Sequence, residues 1–527
     1  MQRALLIDEI IRHIFHFSAE EGLATLNALA RCCRTWEDPA LDYLWTRLSS
    51  IAPLLKLIPG VELVNRMYVS NTFRFSFLEE MKTLTLFQVF QATDPTPDLT
   101  RFHFYASRVK HISHQRKVHV HPLILSILRG RLLPSTHPTV MLPSLRSVKL
   151  STSNCDEIHA CLSISGALSK LDIDLGFKTR TSNEHIVQYL QDVVKTASGL
   201  QHLSVRGSLT GPLMGLVSSM CNIHTLSLRL GPSLTTDALL AISSFSNLSE
   251  LEIHVGHIAG DDLSAAFAEN NTPLFPSLTQ LHIRAHTPLL AIILDKIPID
   301  ALNALHIEAE ETVGVPVAWG PVLRNISTRA SNSLRDLTIE HHIEIDEMEL
   351  DVSSAYTIGP SLGPVKTNTQ IPFSDLQTLG SLRHLSKFVL DTTLPPAISD
   401  ENLTTLIKGW PKLQYLDIGS ASPVSQAKSL TFRSLCTLAI RTPKLISLVV
   451  APELKGCDPT TIPVDTPSQH TLTRLTFACA PPSDSVKLAQ YLHRLFPMLI
   501  EVDGLPEHEE GWSEVRNVMR LSPELLS

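Results

Sequence analysis

Four histidines near residue 115 are the best candidate metal ligands in the sequence. They are His111, His114, His119 and His121. Neutral imidazole is a zinc ligand, and residues 119 and 121 share a face if the chain is extended, because side chains alternate along a strand. No cysteine or carboxylate lies close by to complete the ligand set. The spacing therefore favours a polar loop or edge strand, and we expect no metal and no cofactor.

Charged residues are segregated along the chain. Residues 99–155 contain nine Lys or Arg and no Asp or Glu. These are Arg101, Arg108, Lys110, Arg116, Lys117, Arg129, Arg131, Arg146 and Lys149. Clustered arginines pair with phosphate and carboxylate groups, so one interpretation is attraction of acidic or phosphorylated protein segments, and the other is a solvated basic face.

Composition narrows the class of protein. The net charge of −8 and the pI near 6.3 argue against a protein that coats nucleic acid. No apolar stretch approaches the roughly 20 residues of a membrane helix, and Asp8 and Glu9 interrupt the apolar start. The cysteines form no CxxC pair, which is typical of a reduced chain. Asp and Glu residues are plentiful, but no pair of them has a spacing that sets it apart as a catalytic pair from ordinary solvent-exposed residues. We expect a cytoplasmic or nuclear protein that is not an enzyme.

A pattern of three apolar residues organises most of the chain. A second apolar residue follows the first after three positions, and a third follows two positions later. The pattern occurs at Leu145/Val148/Leu150, Leu168/Leu171/Ile173, Leu200/Leu203/Val205, Ile223/Leu226/Leu228, Leu248/Leu251/Ile253, Leu278/Leu281/Ile283, Leu302/Leu305/Ile307, Leu334/Leu337/Ile339, Leu385/Phe388/Leu390, Leu413/Leu416/Ile418, Leu445/Leu448/Val450 and Leu472/Leu475/Phe477. First positions are mostly 23 to 32 residues apart. This regularity indicates a repeat architecture; the alternative is an irregular α/β domain with chance leucine patterns.

Each repeat predicts one short strand and one helix. The second and third apolar positions lie on one face of a strand. Stretches such as 234–242 and 400–407 have helical character, with Asp237 and Asp400 in the first turn. Stacked units bury an apolar side that one unit cannot bury alone. The prediction is an α/β solenoid, or horseshoe, interrupted by an exposed insertion near residues 340–372.

Residues 5–48 predict three short helices. The first carries an apolar stripe made of Ile7, Ile10, Ile11 and Ile14. The second covers about 23–33, and the third is predicted to begin with Asp38 as N-cap and Pro39 at the first helical position. A module of this size buries too little surface to be stable alone, and its apolar residues exceed one small core. We therefore expect part of its apolar surface to face another protein.

The residues of this module resemble an F-box. Leu6-Ile7-Asp8-Glu9-Ile10-Ile11, followed by Ile14-Phe15, is similar to the opening helix of that family, although Ile7 stands where proline is usual. Cys33-Arg34-Thr35-Trp36 is similar to the Cys-Arg-x-Trp element, and Pro39-Ala40 and Leu44-Trp45 to the closing helix.

The rest of the chain resembles the leucine-rich-repeat family in its long form, with an α-helix in each unit and no asparagine ladder after the strand. Residues 100–112, 410–418 and 430–445 resemble segments of the large fungal family of F-box proteins with degenerate repeats. The fold class implied is α/β: a short three-helix F-box-like module followed by a leucine-rich-repeat solenoid.

The F-box resemblance implies docking to a Skp-family adaptor and, through it, to a cullin-based ubiquitin ligase, with the repeats binding an unidentified protein substrate. Docking and its supporting core would involve Leu6, Ile7, Ile10, Ile14, Trp36, Leu41 and Trp45. Polar residues beside the apolar strand positions face the hollow of the arc. They predict the substrate-binding residues Arg206, Arg229, His254, His282, Arg284, His306, Glu308 and Glu340.

Two alternatives stay open. One is a leucine-rich-repeat scaffold or inhibitor unrelated to ubiquitin, and the other is a degenerate N-terminal module that only packs on the repeats. The predicted domains are an F-box-like module at 1–50, a linker or irregular first repeats with the basic patch at 51–140, the solenoid at 141–505 and a C-terminal cap at 506–527. We expect a monomer apart from the complex, with no membrane or nucleic-acid partner.

Overall fold

The structure is a computed structural model in which two compact units, Met1–Leu234 and Thr235–Ser527, are distinguished. It describes residues 7–59, 61–64, 67–70, 98–115, 118–120, 140–151, 153, 157–177, 184–269, 274–310, 317–342, 371–393, 395–419, 430–463 and 466–520. Within these ranges, no helix has both the length and the apolar character required to cross a bilayer.

The first unit begins with helices and continues with alternating strands and helices. Its helices are α1 (Asp8–Glu21), α2 (Leu23–Ala30), α3 (Arg34–Thr46), α4 (Ala52–Leu55), α5 (Thr100–Ala106), α6 (Glu157–Leu162), α7 (Glu184–Thr196) and α8 (Gly211–Ser219). Its strands are β1 (Arg47–Leu48), β2 (Val61–Val64), β3 (Met67–Ser70), β4 (His111–Ser113), β5 (His119–Val120), β6 (Ser147–Ser151), β7 (Lys170–Gly176), β8 (His202–Gly207) and β9 (Thr225–Arg229).

The main sheet of this unit is parallel and has the order β1-β4-β6-β7-β8-β9. A separate small sheet pairs β2 with β3 antiparallel and β3 with β5 parallel. The predicted boundaries at residues 50 and 140 lie inside this unit. Arg47 and Leu48, at the end of the N-terminal module, are already paired with His111 and Ile112 of β4.

The second unit repeats one strand and one helical segment. Its helices are α9 (Thr236–Ser243), α10 (Gly260–Glu269), α11 (Thr287–Lys296), α12 (Trp319–Arg329), α13 (Phe373–Leu376), α14 (Asp400–Ile407), α15 (Arg433–Arg441), α16 (Ser485–Leu495) and α17 (Glu509–Arg520). Its strands are β10 (Glu250–His254), β11 (Gln280–Ala285), β12 (Ala304–Ala309), β13 (Asp336–His341), β14 (Lys387–Thr392), β15 (Tyr415–Asp417), β16 (Ser447–Val450), β17 (Arg474–Phe477) and β18 (Glu501–Gly504). They run parallel in chain order.

The predicted apolar triplets form the core of both units. Leu305 and Ile307 of β12 are buried, and they lie in register with Leu281 and Ile283 of β11. Each fully buried side chain of this kind contributes about 1.5–3 kcal/mol relative to an exposed one. Among the described triplets, the third residue of one, Ile418, falls just beyond its strand and is only half-buried. The predicted α/β leucine-rich-repeat fold is confirmed.

A backbone ladder joins each repeat to the next. The carbonyl oxygen of the residue before a strand accepts two N–H groups from the start of the following strand: Arg335 O lies 2.7 Å from Ser386 N and 2.9 Å from Lys387 N. The same pair of hydrogen bonds to one carbonyl oxygen recurs at Lys110, Arg146, Ser169, Gln201, Ser249, Thr279, Asn303, Ser386, Gln414, Ile446 and Thr473. Some hydroxyls reinforce it, such as Ser386 Oγ, which donates to Arg335 O at 3.0 Å. This ladder satisfies backbone groups without asparagine side chains.

Besides the two-residue strand β1, two strands of the main sheets, β4 and β18, have no predicted apolar triplet. The third position that belongs to β4 falls just beyond the strand and is His114, which is buried and whose Nε2 lies 3.2 Å from Ser163 Oγ. In β18 the third position is Gly504, and the buried Trp512 of α17 occupies the space that a side chain would fill. The Trp512 ring stacks on Phe477 with centroids 4.7 Å apart. A search for apolar residues at the third position therefore misses both strands.

The N-terminal module contains the three predicted helices, but the third begins earlier than expected. Helix α3 starts at Arg34, with the backbone carbonyl of Cys33 accepting from Trp36 N and Glu37 N at 3.1 Å. Asp38 and Pro39 thus lie inside the helix, and the predicted N-cap is wrong. Proline lacks an N–H, so this helix forgoes one backbone hydrogen bond. The burial of Pro39 and Ala40 in the module offsets that loss.

Placing leucine, which occupies the third position in several other repeats, at residue 504, the third position of β18, is expected to destabilise the second unit. A side chain at residue 504 would overlap the Trp512 indole, so we expect Gly504→Leu to cost about 1–3 kcal/mol through overpacking. Urea unfolding followed by tryptophan fluorescence measures this loss. Gly380→Ala is the matched control, because its added methyl group meets no heavy atom within 4 Å. Equal midpoints for the Gly504→Leu protein and the wild type would contradict this account of the last repeat.

Candidate functional site

Helix α1 has two apolar faces. Ile11 and Phe15, one turn apart, are buried in a small core with Leu26 and Ala40. A second row remains exposed and consists of Ile7, Ile10, Ile14 and Phe17, with exposed fractions of 47%, 39%, 37% and 56%. Ile10, Ile14 and Phe17, at i, i+4 and i+7, lie on one side of the helix, and Ile7 is the N-cap residue just before it. We call these four residues the α1 row. Three of them, Ile7, Ile10 and Ile14, are predicted docking residues.

The other predicted docking residues support the module from inside. Trp36 is half-buried and its ring meets Phe15 edge-on, with centroids 5.9 Å apart. Trp45 is also half-buried and packs on Tyr105 of the first repeats at 4.5 Å. Leu41 is half-buried as well, whereas Leu6 lies outside the described residues. Phe17 completes the α1 row and was missed by the sequence prediction, although its helical spacing would have revealed it.

A half-buried arginine just after α5 contacts helix α3 of the module. The guanidinium of Arg108, only 12% exposed, contacts the carboxylates of both Asp38 and Asp42 on α3. Burial lowers the pKa of Arg108, but the hydrogen bond to Asp38 and the charge of Asp42 raise it overall above its ordinary value. Asp42 also accepts from Arg12 of α1 at 3.2 Å. Arg108 is therefore already paired, which reduces the anion-attracting charge expected of residues 99–155.

The remaining residues of that basic segment are only partly described. Arg116, Lys117, Arg129 and Arg131 lie outside the described residues. Among the candidate metal ligands, His111 belongs to β4, and nearby Arg47 and burial both lower its pKa, burial more strongly. His114 is buried against Ser163 as part of the core, and His121 lies outside the described residues.

The strand face of the first unit carries two of the predicted substrate-binding residues. Arg206 at the end of β8 is exposed, donates to Asp174 of β7 at 3.2 Å and lies over the ring of Phe177 at 5.6 Å. Arg229 occupies the equivalent position of β9, because residues 206 and 229 are partners in the register. Both arginines thus alternate with buried strand residues, as predicted, and the exposed Phe177 adds an apolar contact surface beside them.

The strand face of the second unit gathers the other predicted residues into a paired network. His282 and His306 are register partners, and their rings stack in parallel with centroids 4.0 Å apart. His282 Nε2 lies 2.5 Å from Glu308 Oε1, and His306 Nε2 lies 2.9 Å from Glu340 Oε1. Arg284 Nε donates to Glu310 Oε1 at 2.5 Å. These side chains are one-quarter to one-half exposed, so the network is accessible from solvent.

Electrostatics lower the pKa of one carboxyl group in this network, that of Glu308. Burial raises the pKa of Glu308, but the hydrogen bond to His282 and the nearby charges of His282, His254 and Arg284 lower it overall below its ordinary value. His254 lies at the register position of Arg284. Farther along the same face, burial raises the pKa of Asp417, and the charge of Asp391 adds to that effect. The face therefore changes from paired histidines and carboxylates to a half-buried acid.

The expectation of no GxSxG pattern, on which the prediction of a non-enzyme partly rests, is wrong at the level of sequence. Residues 359–363 read GPSLG, which matches the nucleophile elbow of serine hydrolases. The elbow is a turn between a strand and a helix, and here proline follows the first glycine. These residues lie within 343–370, outside the described residues, so the match stays a sequence observation.

Comparison with known proteins finds similar structures but no similar sequences. No protein-family model matches the chain, and no curated protein is similar to it. The structure is similar to that of the yeast Rad7 and Elc1 complex, with 13% identity, a TM-score of 0.37 and coverage of 89% of this chain and 92% of that one. It is also similar to the leucine-rich repeat-containing protein LegL7 from Legionella pneumophila, with 13% identity, a TM-score of 0.31 and coverage of 71% and 98%. With TM-scores below 0.5, neither likeness bears on the function of this chain.

Removing the Arg108 guanidinium is expected to loosen the N-terminal module. In Arg108→Met, Asp38 and Asp42 lose their shared cation in a partly buried position, so we expect the free energy of unfolding of the first unit to fall by about 1–3 kcal/mol. Fluorescence of Trp36 and Trp45 during urea titration reports the change. The matched control is Arg101→Met, which alters an exposed arginine of α5. The assignment is wrong if both variants unfold at the same urea concentration.

Proposed function

We propose that this chain is the substrate-recognition subunit of a Skp-cullin-F-box type ubiquitin ligase, acting in the cytoplasm or nucleus. In this proposal the N-terminal helices bind a Skp-family adaptor, and the repeats bind the substrate protein. The observation that carries the proposal is the α1 row, an apolar face on a helix whose other apolar face already packs in the module core.

The α1 row has the properties of a docking surface. Its residues form one continuous stripe, whereas isolated exposed apolar side chains are ordinary on protein surfaces. An amphipathic helix that lays such a stripe in a groove uses anchors at i, i+3 and i+7. The charged residues Asp8 and Arg12 of the same helix are paired with each other at 2.7 Å, which leaves apolar contact as the main source of binding energy.

The strand faces of the repeats have properties that support substrate binding, the second part of the proposal. Polar residues at alternate strand positions face solvent in both units, and they include the predicted substrate-binding residues. A partner bound there would meet groups that are already paired with one another, so the contacts would select for matching charge rather than for apolar surface.

Acidic substitution of the α1 row is expected to abolish adaptor binding. In Ile10→Asp/Ile14→Asp two anchors become charged, so we expect at least about 100-fold weaker binding of a purified Skp-family adaptor, equivalent to about 2.7 kcal/mol. Isothermal titration calorimetry measures the affinity, and circular dichroism checks that the fold is kept.

The matched control is Ile440→Asp/Ile446→Asp, which charges two isoleucines of similar exposure in the second unit. We expect this control to bind the adaptor as the wild type does. If the wild type does not bind the adaptor, or if the Ile10→Asp/Ile14→Asp protein binds it normally, the assignment fails. If a chain that lacks residues 1–50 still binds every partner of the full chain, a scaffold or inhibitor unrelated to ubiquitin is favoured instead.

A further inference from the structure

Two imidazoles and a carboxylate converge on the strand face of the second unit. His282, His306 and Glu308 each offer a ligand atom, and these atoms all lie within 4.8 Å of one another. The residues come from two neighbouring strands, β11 and β12, whose register fixes residues 282 and 306 side by side. Of the residues that the structure describes, only these three histidine, cysteine or acidic side chains form such a group.

We propose that His282, His306 and Glu308 bind a divalent first-row transition metal ion, for which zinc is the natural probe. Two imidazole nitrogens and one carboxylate oxygen form the ligand set of many zinc sites that keep a fourth position open. Carboxylates alone would suit calcium or magnesium, whereas imidazole selects for zinc and its neighbours.

The distances require only small side-chain movements. In tetrahedral zinc the ligand atoms are about 3.3 Å apart, given bonds of about 2.0–2.1 Å. His282 Nε2 and Glu308 Oε1 are 2.5 Å apart, so these two atoms need to separate by about 0.8 Å to hold a metal ion between them. Rotation of the imidazole about its outer torsion, which is broad in energy, brings His306 into the set.

Neighbouring groups supply charge beside the ligands. Glu252 Oε1 lies 3.7 Å from His282 Nδ1, beyond hydrogen-bond distance, and adds a negative charge beside the proposed ligand. Glu340 lies beside His306 and adds a second negative charge. Arg284 is the opposing cation, and it contacts Glu310 more closely than Glu308, at 2.5 Å against 3.7 Å. The carboxylates outnumber this arginine, so the local charge favours a cation.

The fourth position faces solvent. The side chains of His282 and Glu308 are each 26% exposed and that of His306 is 33% exposed. Water would complete the coordination in the isolated protein. This proposal does not depend on the adaptor, because all its residues lie in the second unit.

Titration of the chelator-treated full chain with zinc tests the proposal. We expect calorimetry at neutral pH to show one site that binds zinc at least about 10-fold more tightly than any other site on the chain. That site should be absent in His282→Gln/His306→Gln. Glu308→Gln, which keeps the side-chain shape, should weaken it by about 10-fold or more. The matched control His384→Gln changes a histidine that lies beside Lys412 and should leave the site unchanged.

Two further measurements separate metal binding from loss of fold. The metal-free unfolding midpoints of the variants should match that of the wild type, and bound cobalt should show the absorption of a tetrahedral nitrogen and oxygen site in the wild type only. The proposal is overturned if the wild type has no such site, or if the double variant binds zinc with unchanged stoichiometry and affinity. Adaptor binding by the double variant should be unchanged, which keeps this outcome distinct from failure of the proposed function.

Discussion

A carbonyl oxygen that accepts two N–H groups from the next repeat stands at the start of most strands in both units. This double hydrogen bond fixes where each strand begins, and the ordinary parallel ladder then continues the register. Slipping one strand by a single residue would turn its buried leucines to solvent, so register and core depend on each other. Because the acceptor belongs to the backbone, the sequence between apolar positions is free to vary. That freedom explains how the repeats tolerate the absence of asparagine and the large difference in repeat length.

The fixed register also creates the chemistry of the strand face. Residues one repeat apart in sequence, such as 282 and 306, become direct neighbours because corresponding positions of parallel strands lie side by side. Their side chains then pair across strands, as do Arg284 and Glu308. The segment after Glu340 does not disturb this order, since β13 and β14 pair in register from Asp336 and Lys387 onwards. An insertion at this point therefore leaves the face on either side of it continuous.

The sequence predicts the repeat core well because burial selects for residue type. Leucine and isoleucine at fixed intervals have few alternatives in a packed interior, and the strands follow from them. The prediction fails where a histidine or a glycine fills the third position. His114 is buried there with its Nε2 within hydrogen-bond distance of Ser163, and Gly504 leaves room for a tryptophan from a later helix. Both solutions depend on contacts distant in sequence. Asp38-Pro39 is misleading for the same reason, since tertiary packing overrides a strong local signal for a helix start.

The candidate binding residues likewise include some features that the sequence predicts and others that depend on contacts distant in sequence. Alternation along the strands predicts which polar residues face solvent, but it does not predict their partners, because pairing depends on side-chain reach across two repeats. The sequence therefore predicts each of the three proposed metal ligands as a residue of the strand face, but it does not predict that they form a group. Their spacing of one repeat carries the signal, and superposing the strands in the predicted register reveals it, whereas a search for short motifs does not.

The two candidate surfaces differ in what a partner must do to bind them. The α1 row offers apolar side chains that gain free energy simply by leaving water, at about 25 cal/mol for each Å² buried. β-branched isoleucine is also a poorer helix former than alanine or leucine, so these residues do not contribute to the helix by propensity. The strand face offers groups that already satisfy one another, and a partner must replace each bond that it breaks. Apolar burial is therefore expected to supply most of the affinity of the α1 row for its own partner, whereas charge matching is expected to decide which other proteins bind the strand face.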